Sequence, residues 1–272
     1  SCEVNPNTLF LDVEDVRKKI TQNTKVIMPV HYASNSKGMR EIYKLAKEYN
    51  LRIVEDAAQS FGSKRNGRLV GVKGDIICFS FDGIKNITSG EGGAILSHDK
   101  EFIQKVRDGR LLGVEKDTNK RYSGQRSWDF DVSHQGFRYH MSNIMAAIGI
   151  VQIDRIEEFR VKRQNIAKKY IKELRNIEEV EFLDFNYNEI LPHIFVVKVQ
   201  NRDELRKYLI ANNVESGVHY KPNHFLSKYK LDDGLSITEK IYKEILTLPC
   251  HFDLTDKEQN FIVMKVMEFY GK

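Results

Sequence analysis

Three short stretches between residues 55 and 93 place side chains of reactive type close together along the chain. Glu55-Asp56-Ala57-Ala58-Gln59 follows the apolar run Leu51–Val54. Taken alone, Asp56 reads as a carboxylate that caps the next segment. It also reads as a buried anion placed to pair with a ligand's positive charge, with Ala57 and Ala58 small enough to let the ligand approach. Phe79-Ser80-Phe81-Asp82-Gly83-Ile84-Lys85 is the second stretch. A lone loop lysine is ordinarily a solvated charge. Lys85, however, stands just past a buried strand between Ile84 and Ile87, and apolar surroundings disfavour an ammonium, as a Schiff-base lysine requires. Ser80, at the same strand end, offers a hydroxyl to a phosphate.

Thr88-Ser89-Gly90-Glu91-Gly92-Gly93 is the third stretch, and by itself it is a turn before a strand. It is not a triphosphate-binding loop, because no Gly-Lys-Ser/Thr follows the four-residue gap. It is not a dinucleotide fingerprint either, because it leads into a strand and not a helix.

The elements around these stretches alternate. The spacing predicts a helix over 12–23, a buried strand over 25–31, a loop over 33–37 and a helix over 38–49 with Met39, Ile42, Tyr43, Leu45 and Ala46 inward. Strands follow at 51–54, 75–81 and 93–96, then a helix at 100–112. Short apolar strands separated by helices predict an α/β fold with a largely parallel sheet covered on both faces. In such sheets ligands sit beyond the carboxyl ends of the strands, where the polar clusters of this chain fall. Residues 113–135 are polar and aperiodic and predict a surface loop. From Ser142 a long helical pattern runs to about Asn176, with Ile144, Ala147, Ile148, Val151, Ile156 and Phe159 as one apolar stripe. Strands at 180–183, 194–199 and 217–220 and helices at 202–212, 236–246 and 255–269 predict a smaller second α/β domain. The division expected is 1–150 for the large domain and 151–272 for the long helix and small domain.

The 272 residues are 41% hydrophobic and 30% charged, enough to bury a core. No apolar run is long enough for a membrane span, and no signal peptide is visible. Cys2, Cys78 and Cys250 form neither a disulfide framework nor a metal set, which favours a reducing, cytoplasmic setting. A net charge of +5, spread over helices, demands no nucleic-acid partner. The first residue is Ser1, not Met.

The strand-end Asp-x-x-Gln, the Ser five residues before a Lys and the Gly-Glu-Gly-Gly tail together resemble the DegT-type sugar-nucleotide aminotransferases. Thr24–His31 (TKVIMPVH), Gly136–Gln152 (GFRYHMSNIMAAIGIVQ), Leu248-Pro249-Cys250-His251 and Leu254-Thr255 are similar to further segments of that family. The resemblance covers nearly the whole chain and implies a fold-type I enzyme dependent on pyridoxal 5′-phosphate (PLP). Carried over position by position, it implies that Lys85 holds the cofactor aldehyde as a Schiff base. Asp56 pairs with the pyridine nitrogen, Gln59 lies near the phenolic oxygen, and Ser80 contacts the phosphate. It implies transfer of an amino group from glutamate, or glutamine, to a nucleotide-linked keto-deoxysugar for cell-surface polysaccharide, in a homodimer with the active site at the interface.

Two departures stand out. Family chains extend about a hundred residues further at the N-terminus, and that stretch holds a phosphate-binding turn and an aromatic residue over the cofactor ring. The family also has Asn where Arg138 stands and Arg where His140 stands; that Asn commonly reaches the partner's cofactor phosphate, a role that passes here to Arg138. Three other readings compete with this one. Sugar 3-dehydratases of the family carry His at the Lys85 position, so Lys85 argues against that activity. A nicotinamide oxidoreductase lacks its glycine fingerprint here. A non-catalytic fold-type I remnant or binding protein is the alternative suggested by the short N-terminus.

Overall fold

The computed structural model describes residues 1–115, 130–230 and 234–272. Most of the expected 113–135 loop lies outside them. The first half opens with α1 (Val13–Lys19), capped by the Asp12 side chain. It continues through β1 (Val26–Ile27), α2 (Met39–Glu48) and β2 (Arg52–Asp56). Along β2, Ile53 and Glu55 are buried on one face while Val54 and Asp56 are half-buried on the other, as alternation in a strand requires. Helix α2 buries Met39, Ile42, Leu45 and Ala46 against Phe10, Val16, Ile27 and Ile53. A tight hairpin, β3 (Lys64–Arg65) and β4 (Arg68–Leu69), turns at Asn66-Gly67, both at positive φ. That pair favours the backbone twist a two-residue hairpin needs.

Strands β5 (Ile76–Ser80) and β6 (Gly93–Ser97) complete a sheet ordered β1-β2-β5-β6. β1, β2 and β5 run parallel, but β6 runs antiparallel to β5 because the compact 81–92 turn returns the chain directly alongside. Helix α3 (Lys100–Gly109) follows. At Gly136 an added Cβ would fall 1.9 Å from the Gly113 nitrogen, so only glycine permits this crossing of two backbones.

The second half comprises α4 (Asn143–Asp154), α5 (Ile156–Leu174), β7 (Val180–Phe182), β8 (Phe195–Val199), α6 (Arg202–Ala211), α7 (Ser236–Glu244), β9 (Ile245–Leu248) and α8 (Asp256–Phe269). The three strands form an antiparallel sheet with β8 central and wholly buried. Tyr170, Leu174, Phe195, Leu205, Leu246 and Val266 anchor the core between this sheet and α5, α6 and α8. The N-terminus reaches this half: Glu3 accepts from the Ile237 and Thr238 backbone at the start of α7.

The structure differs from the sequence expectation at several elements, the 12–23 helix for one ending at Lys19, beyond which Ile20 is extended. Of the 25–31 strand only Val26–Ile27 pairs regularly, because Pro29 lacks an N–H for the ladder; Val30 makes a single bridge to Asp56. The long helix is interrupted at Arg155, and the apolar stripe of α4 faces outward, Ile144 being 77% exposed. Gly217–Tyr220 is one bridge, Gly217 to Thr247, rather than a strand. The 236–246 helix ends at Glu244, because Ile245–Leu248 pairs with β8 and its β-branched and apolar side chains are buried between layers.

Candidate functional site

Strand β2 delivers Asp56 to the carboxyl end of the first sheet, paired with Cys78 of β5. Its backbone is fixed on both sides: the Asp56 N–H donates to Pro29 O and its carbonyl accepts from the His31 N–H, each at 2.9 Å. Asp56 Oδ1 accepts from the Ala58 N–H at 3.1 Å. The capping reading therefore holds for one oxygen. Among the described residues no donor meets Oδ2. Of the two small neighbours, Ala57 belongs to the core and Ala58 is half-buried.

Gln59 joins four segments. Its Oε1 accepts from the Ala33 N–H at 2.7 Å and its Nε2 donates to the Tyr220 hydroxyl at 3.0 Å. Its carbonyl accepts from Ser34 Oγ and from Asn86 Nδ2. Burial raises the Tyr220 phenol above its usual range; the Gln59 hydrogen bond opposes the rise and the Asp56 charge adds to it. Burial and then Asp56 likewise push the Cys78 thiol up. Tyr220, from the second half of the chain, thus shares the electrostatic field of Asp56.

Past β5 the chain turns on Asp82. Its Oδ1 accepts from the Ile84 N–H, its carbonyl accepts from the Lys85 N–H, and its own N–H donates to Ser80 Oγ at 3.3 Å. Lys85 is half-buried. Of its two apolar neighbours only Ile87 faces inward, since Ile84 is 71% exposed. Among the described residues the Lys85 amine makes no hydrogen bond or ion pair. Buried Asn86 pins the loop from below, its Nδ2 meeting Gln59 O at 2.9 Å and both Phe61 O and Leu191 O at 3.2 Å.

His193 closes the arrangement from the segment before β8. Its N–H donates to Ser34 Oγ at 3.0 Å, and its carbonyl accepts from Arg163 Nη1 at 2.9 Å. Its buried Nδ1 has no hydrogen-bond partner. Burial, with the positive charge of Lys85 next and then that of Arg163, lowers its pKa to about 3. His219, whose carbonyl accepts from the Tyr32 hydroxyl, is also lowered by burial. Asn86, His193, His219, Tyr220 and Tyr32 escaped the reading of the sequence. Only Asn86, adjacent to Lys85, carried a local signal.

The structure therefore brings Asp56, Gln59, Ser80 and Lys85 to neighbouring turns beyond one sheet edge. Arg138 stands apart: its strand-like segment bridges Leu111, it is exposed, and no hydrogen bond or ion pair joins it to those four residues. Its neighbours Phe137 and Tyr139 stack at 5.2 Å, and Met141 packs beside Gly92. An apolar cleft of about 1110 Å³ over β5 and β6 includes Cys78 and Gly92 but none of Asp56, Gln59, Ser80 or Lys85. The reactive side chains thus lie outside it. Among the described residues no cluster suits a metal ion, and no helix is long and apolar enough to cross a membrane.

Comparison with known proteins agrees with this arrangement. A match to the DegT/DnrJ/EryC1/StrS aminotransferase family extends over residues 1–267. MJ1066 of Methanocaldococcus jannaschii, which carries no assigned function in its name, is 34% identical over 99% of this chain and 73% of its own length. The GDP-perosamine synthase of Escherichia coli O157:H7 is 32% identical over 97% of this chain and 71% of its own. The crystal structure of S. venezuelae DesV, solved in complex with a ketimine intermediate, superposes with a TM-score of 0.89 at 25% identity, covering 100% of this chain and 72% of that one. The family match over residues 1–267, with the relatives and the shared α/β fold, makes this chain a fold-type I enzyme of the DegT/DnrJ/EryC1/StrS aminotransferase family.

Proposed function

We propose that this protein transfers an amino group from glutamate, or glutamine, to a keto-deoxysugar carried on a nucleoside diphosphate, with PLP as cofactor. The observation that carries this reading is the fastening of the Lys85 loop to the Asp56–Gln59 turn through Asn86 and the Gln59 carbonyl at 2.9 Å. The donor set suits PLP. Lys85 supplies an amine that is unpaired among the described residues for an aldehyde, and Asp56 an oxygen that meets no donor among them for a protonated ring nitrogen. Ser80 supplies a hydroxyl for a phosphate, and Gln59 an amide for a phenolic oxygen. The relative named GDP-perosamine synthase supports the nucleotide-linked acceptor.

When bound, PLP supplies an aldehyde that carries the amino group and a protonated pyridine ring that takes up the electrons of the donor's broken C–H bond. Lys85 holds the cofactor until the donor amine replaces it. Its freed Nζ then takes the proton from the donor α-carbon and returns one on the cofactor side. Asp56 keeps the ring proton in place. Gln59, held by Ala33 and Tyr220, would offer its amide near the cofactor's phenolic oxygen. Water would supply the keto oxygen as glutamate leaves as 2-oxoglutarate, its nitrogen staying with the cofactor, and the same residues would act in reverse order on the sugar ketone, releasing water as the nitrogen is passed on. The cysteines, all free, accord with a cytoplasmic enzyme.

The same reading keeps residues 1–150 as the cofactor-holding domain and 151–272 as the long helix and small domain, paired as a homodimer that feeds polysaccharide synthesis. The test is an absorbance titration of the protein with PLP, followed by glutamate. A long-wavelength band that bleaches on adding glutamate supports the reading. Its absence at saturating PLP refutes it and returns the chain to a non-catalytic role.

A further inference from the structure

Behind the site lies a charge cluster that the proposed chemistry does not use. Glu55 and His31 are both fully buried. His31 Nε2 lies 2.8 Å from Glu55 Oε2, a charge contact off the line of a hydrogen bond, and the same oxygen accepts from Arg65 Nη1 at 2.9 Å. Glu55 Oε1 accepts from the Tyr43 hydroxyl at 2.7 Å, and that hydroxyl accepts from the Asp75 N–H. Burial pushes the Glu55 carboxyl up, but the contacts with His31 and Arg65 outweigh it and hold it below its usual range. The other ring nitrogen, His31 Nδ1, lies 2.8 Å from Ser60 Oγ.

A buried ion cluster is a weak source of stability, because desolvation consumes most of the Coulombic gain and apolar side chains of similar volume often do as well. What this cluster does supply is geometry. The five-residue turn 56–60 carries both Asp56 and Gln59. His31 grips both ends of it, the backbone N–H on the Asp56 carbonyl at 2.9 Å and the imidazole on Ser60. A bare ring nitrogen 2.8 Å from an ionised carboxylate would set a lone pair against a negative charge, so Glu55 favours the imidazole proton on Nε2. Nδ1 is then an acceptor for the Ser60 hydroxyl, whose 2.8 Å contact to the ring is shorter than its 3.3 Å contact to Ala57 O. Glu55 and Asp56 are adjacent in sequence but point to opposite faces of β2, so one orders the clamp while the other faces the ligand.

We propose that Glu55 and His31 are positioning residues: Glu55 sets the tautomer and orientation of His31, and His31 clamps the 56–60 turn so that Asp56 and Gln59 keep their places. The inference rests on the reading of Asp56 and Gln59 as PLP ligands given above. Two variants test it. Glu55→Gln keeps the shape and removes the charge that sets the tautomer. Ser60→Ala removes the clamped hydroxyl and touches no charge. Hydrogen exchange of the 57–60 amides reads the turn without cofactor, and PLP titration reads its consequence.

In both variants the turn amides should exchange at least about tenfold faster, with the β5 amides still protected, and PLP should bind at least about tenfold more weakly. In an Asp56→Asn background the added loss of PLP affinity should be smaller than in the wild type, the remainder acting through Gln59. Wild-type exchange and wild-type affinity in the variants overturn the clamp, as does an undiminished further loss in the Asp56→Asn background. If Glu55→Gln does not fold, Ser60→Ala decides by the same criteria. A wild-type protein that fails to bind PLP refutes the reading of the site, and the exchange arm then decides the clamp by itself.

Discussion

The Asn86 side-chain amide donates to the Gln59 carbonyl at 2.9 Å, so the residue next to Lys85 is bonded directly to the turn that carries Asp56. The same nitrogen reaches Phe61 O and Leu191 O, tying both loops to the segment that leads into β8. Asn86→Ala leaves buried carbonyls without their donor, at a cost of about 1–3 kcal/mol. Asn86→Asp should be worse, because a carboxylate would face carbonyl oxygens instead of donating to them. Urea unfolding of the two variants measures the cost. A pair of variants as stable as wild type would show that Asn86 fastens nothing.

Lys85→Ala should remove covalent cofactor attachment and transamination while leaving the fold intact. The Lys85 side chain makes no hydrogen bond or ion pair among the described residues, and the turn that presents it is held through its backbone and through Asp82. Borohydride treatment of wild-type protein with PLP should fix the cofactor mass on the peptide containing Lys85. Attachment at another lysine, or turnover by Lys85→Ala at the wild-type rate, counts against the assignment.

Asp56→Asn should retain the turn, because an amide oxygen can still accept from the Ala58 N–H, while removing the charge that keeps a ring nitrogen protonated. The expected loss in rate is several orders of magnitude with PLP still bound. A loss within about tenfold, or roughly 1.4 kcal/mol of barrier, would set the carboxylate aside as a simple cap.

These residues were legible because their signals are local. β2 and β5 show as apolar runs, and the Gly-rich stretch after Lys85 marks a tight return. The other wall of the site was not legible. Tyr220 meets Gln59 across 161 positions and His193 meets Ser34 across 159, and no spacing rule connects partners that far apart. Helix α4 shows a different limit. Its period was right, yet Ile144 and Val151 are exposed, because a periodic stripe says that a face needs covering and not what covers it. Ile245 and Leu246 continue a helical pattern on paper but become strand through pairing with β8, a contact the local sequence does not contain.

His193 gives the protein an acid-sensitive element. An exposed histidine titrates near 6.5, whereas His193 in the fold does so at about 3. Between these values the unfolded chain binds a proton that the folded chain refuses. Stability is therefore fully present above about pH 6.5 and falls with acidification by about 1.4 kcal/mol per pH unit at most. His219, shifted in the same direction, adds to the slope. The depressed Glu55 carboxyl loses its contribution only further into acid, below its ordinary range. His193→Gln should flatten the stability profile between pH 6.5 and 5, where carboxylates scarcely titrate. Denaturant midpoints at half-unit pH intervals would reveal it, and an unchanged slope in the variant would assign the acid limb elsewhere.

The last prediction concerns Arg138. It lies on an exposed segment where Phe137 stacks on Tyr139, itself 76% exposed, and the segment runs directly into the outward apolar face of α4. An aromatic and apolar surface of this extent is normally covered, and a second copy of the chain is the partner that a homodimer supplies. In that arrangement Arg138 is expected to reach the partner's site and donate to its cofactor phosphate, the role the family resemblance gives to Asn. A guanidinium is a stronger and bidentate donor to phosphate than an amide, so the exchange is chemically sound. Its greater length lets it reach the substrate diphosphate instead if the segment sits close. Being exposed and without an ion pair among the described residues, it can be changed at little cost to folding. Arg138→Ala should weaken PLP or nucleotide-sugar binding while the unfolding midpoint stays near wild type. Mixing Arg138→Ala with Lys85→Ala subunits separates a contact across the interface from one within the chain. A hybrid dimer regains one intact site only if that site draws Lys85 and Arg138 from different chains. Recovery of activity toward half of one wild-type dimer supports the crossing. Hybrids that form, as mass spectrometry of the mixture would verify, yet remain inactive would confine Arg138 to its own subunit.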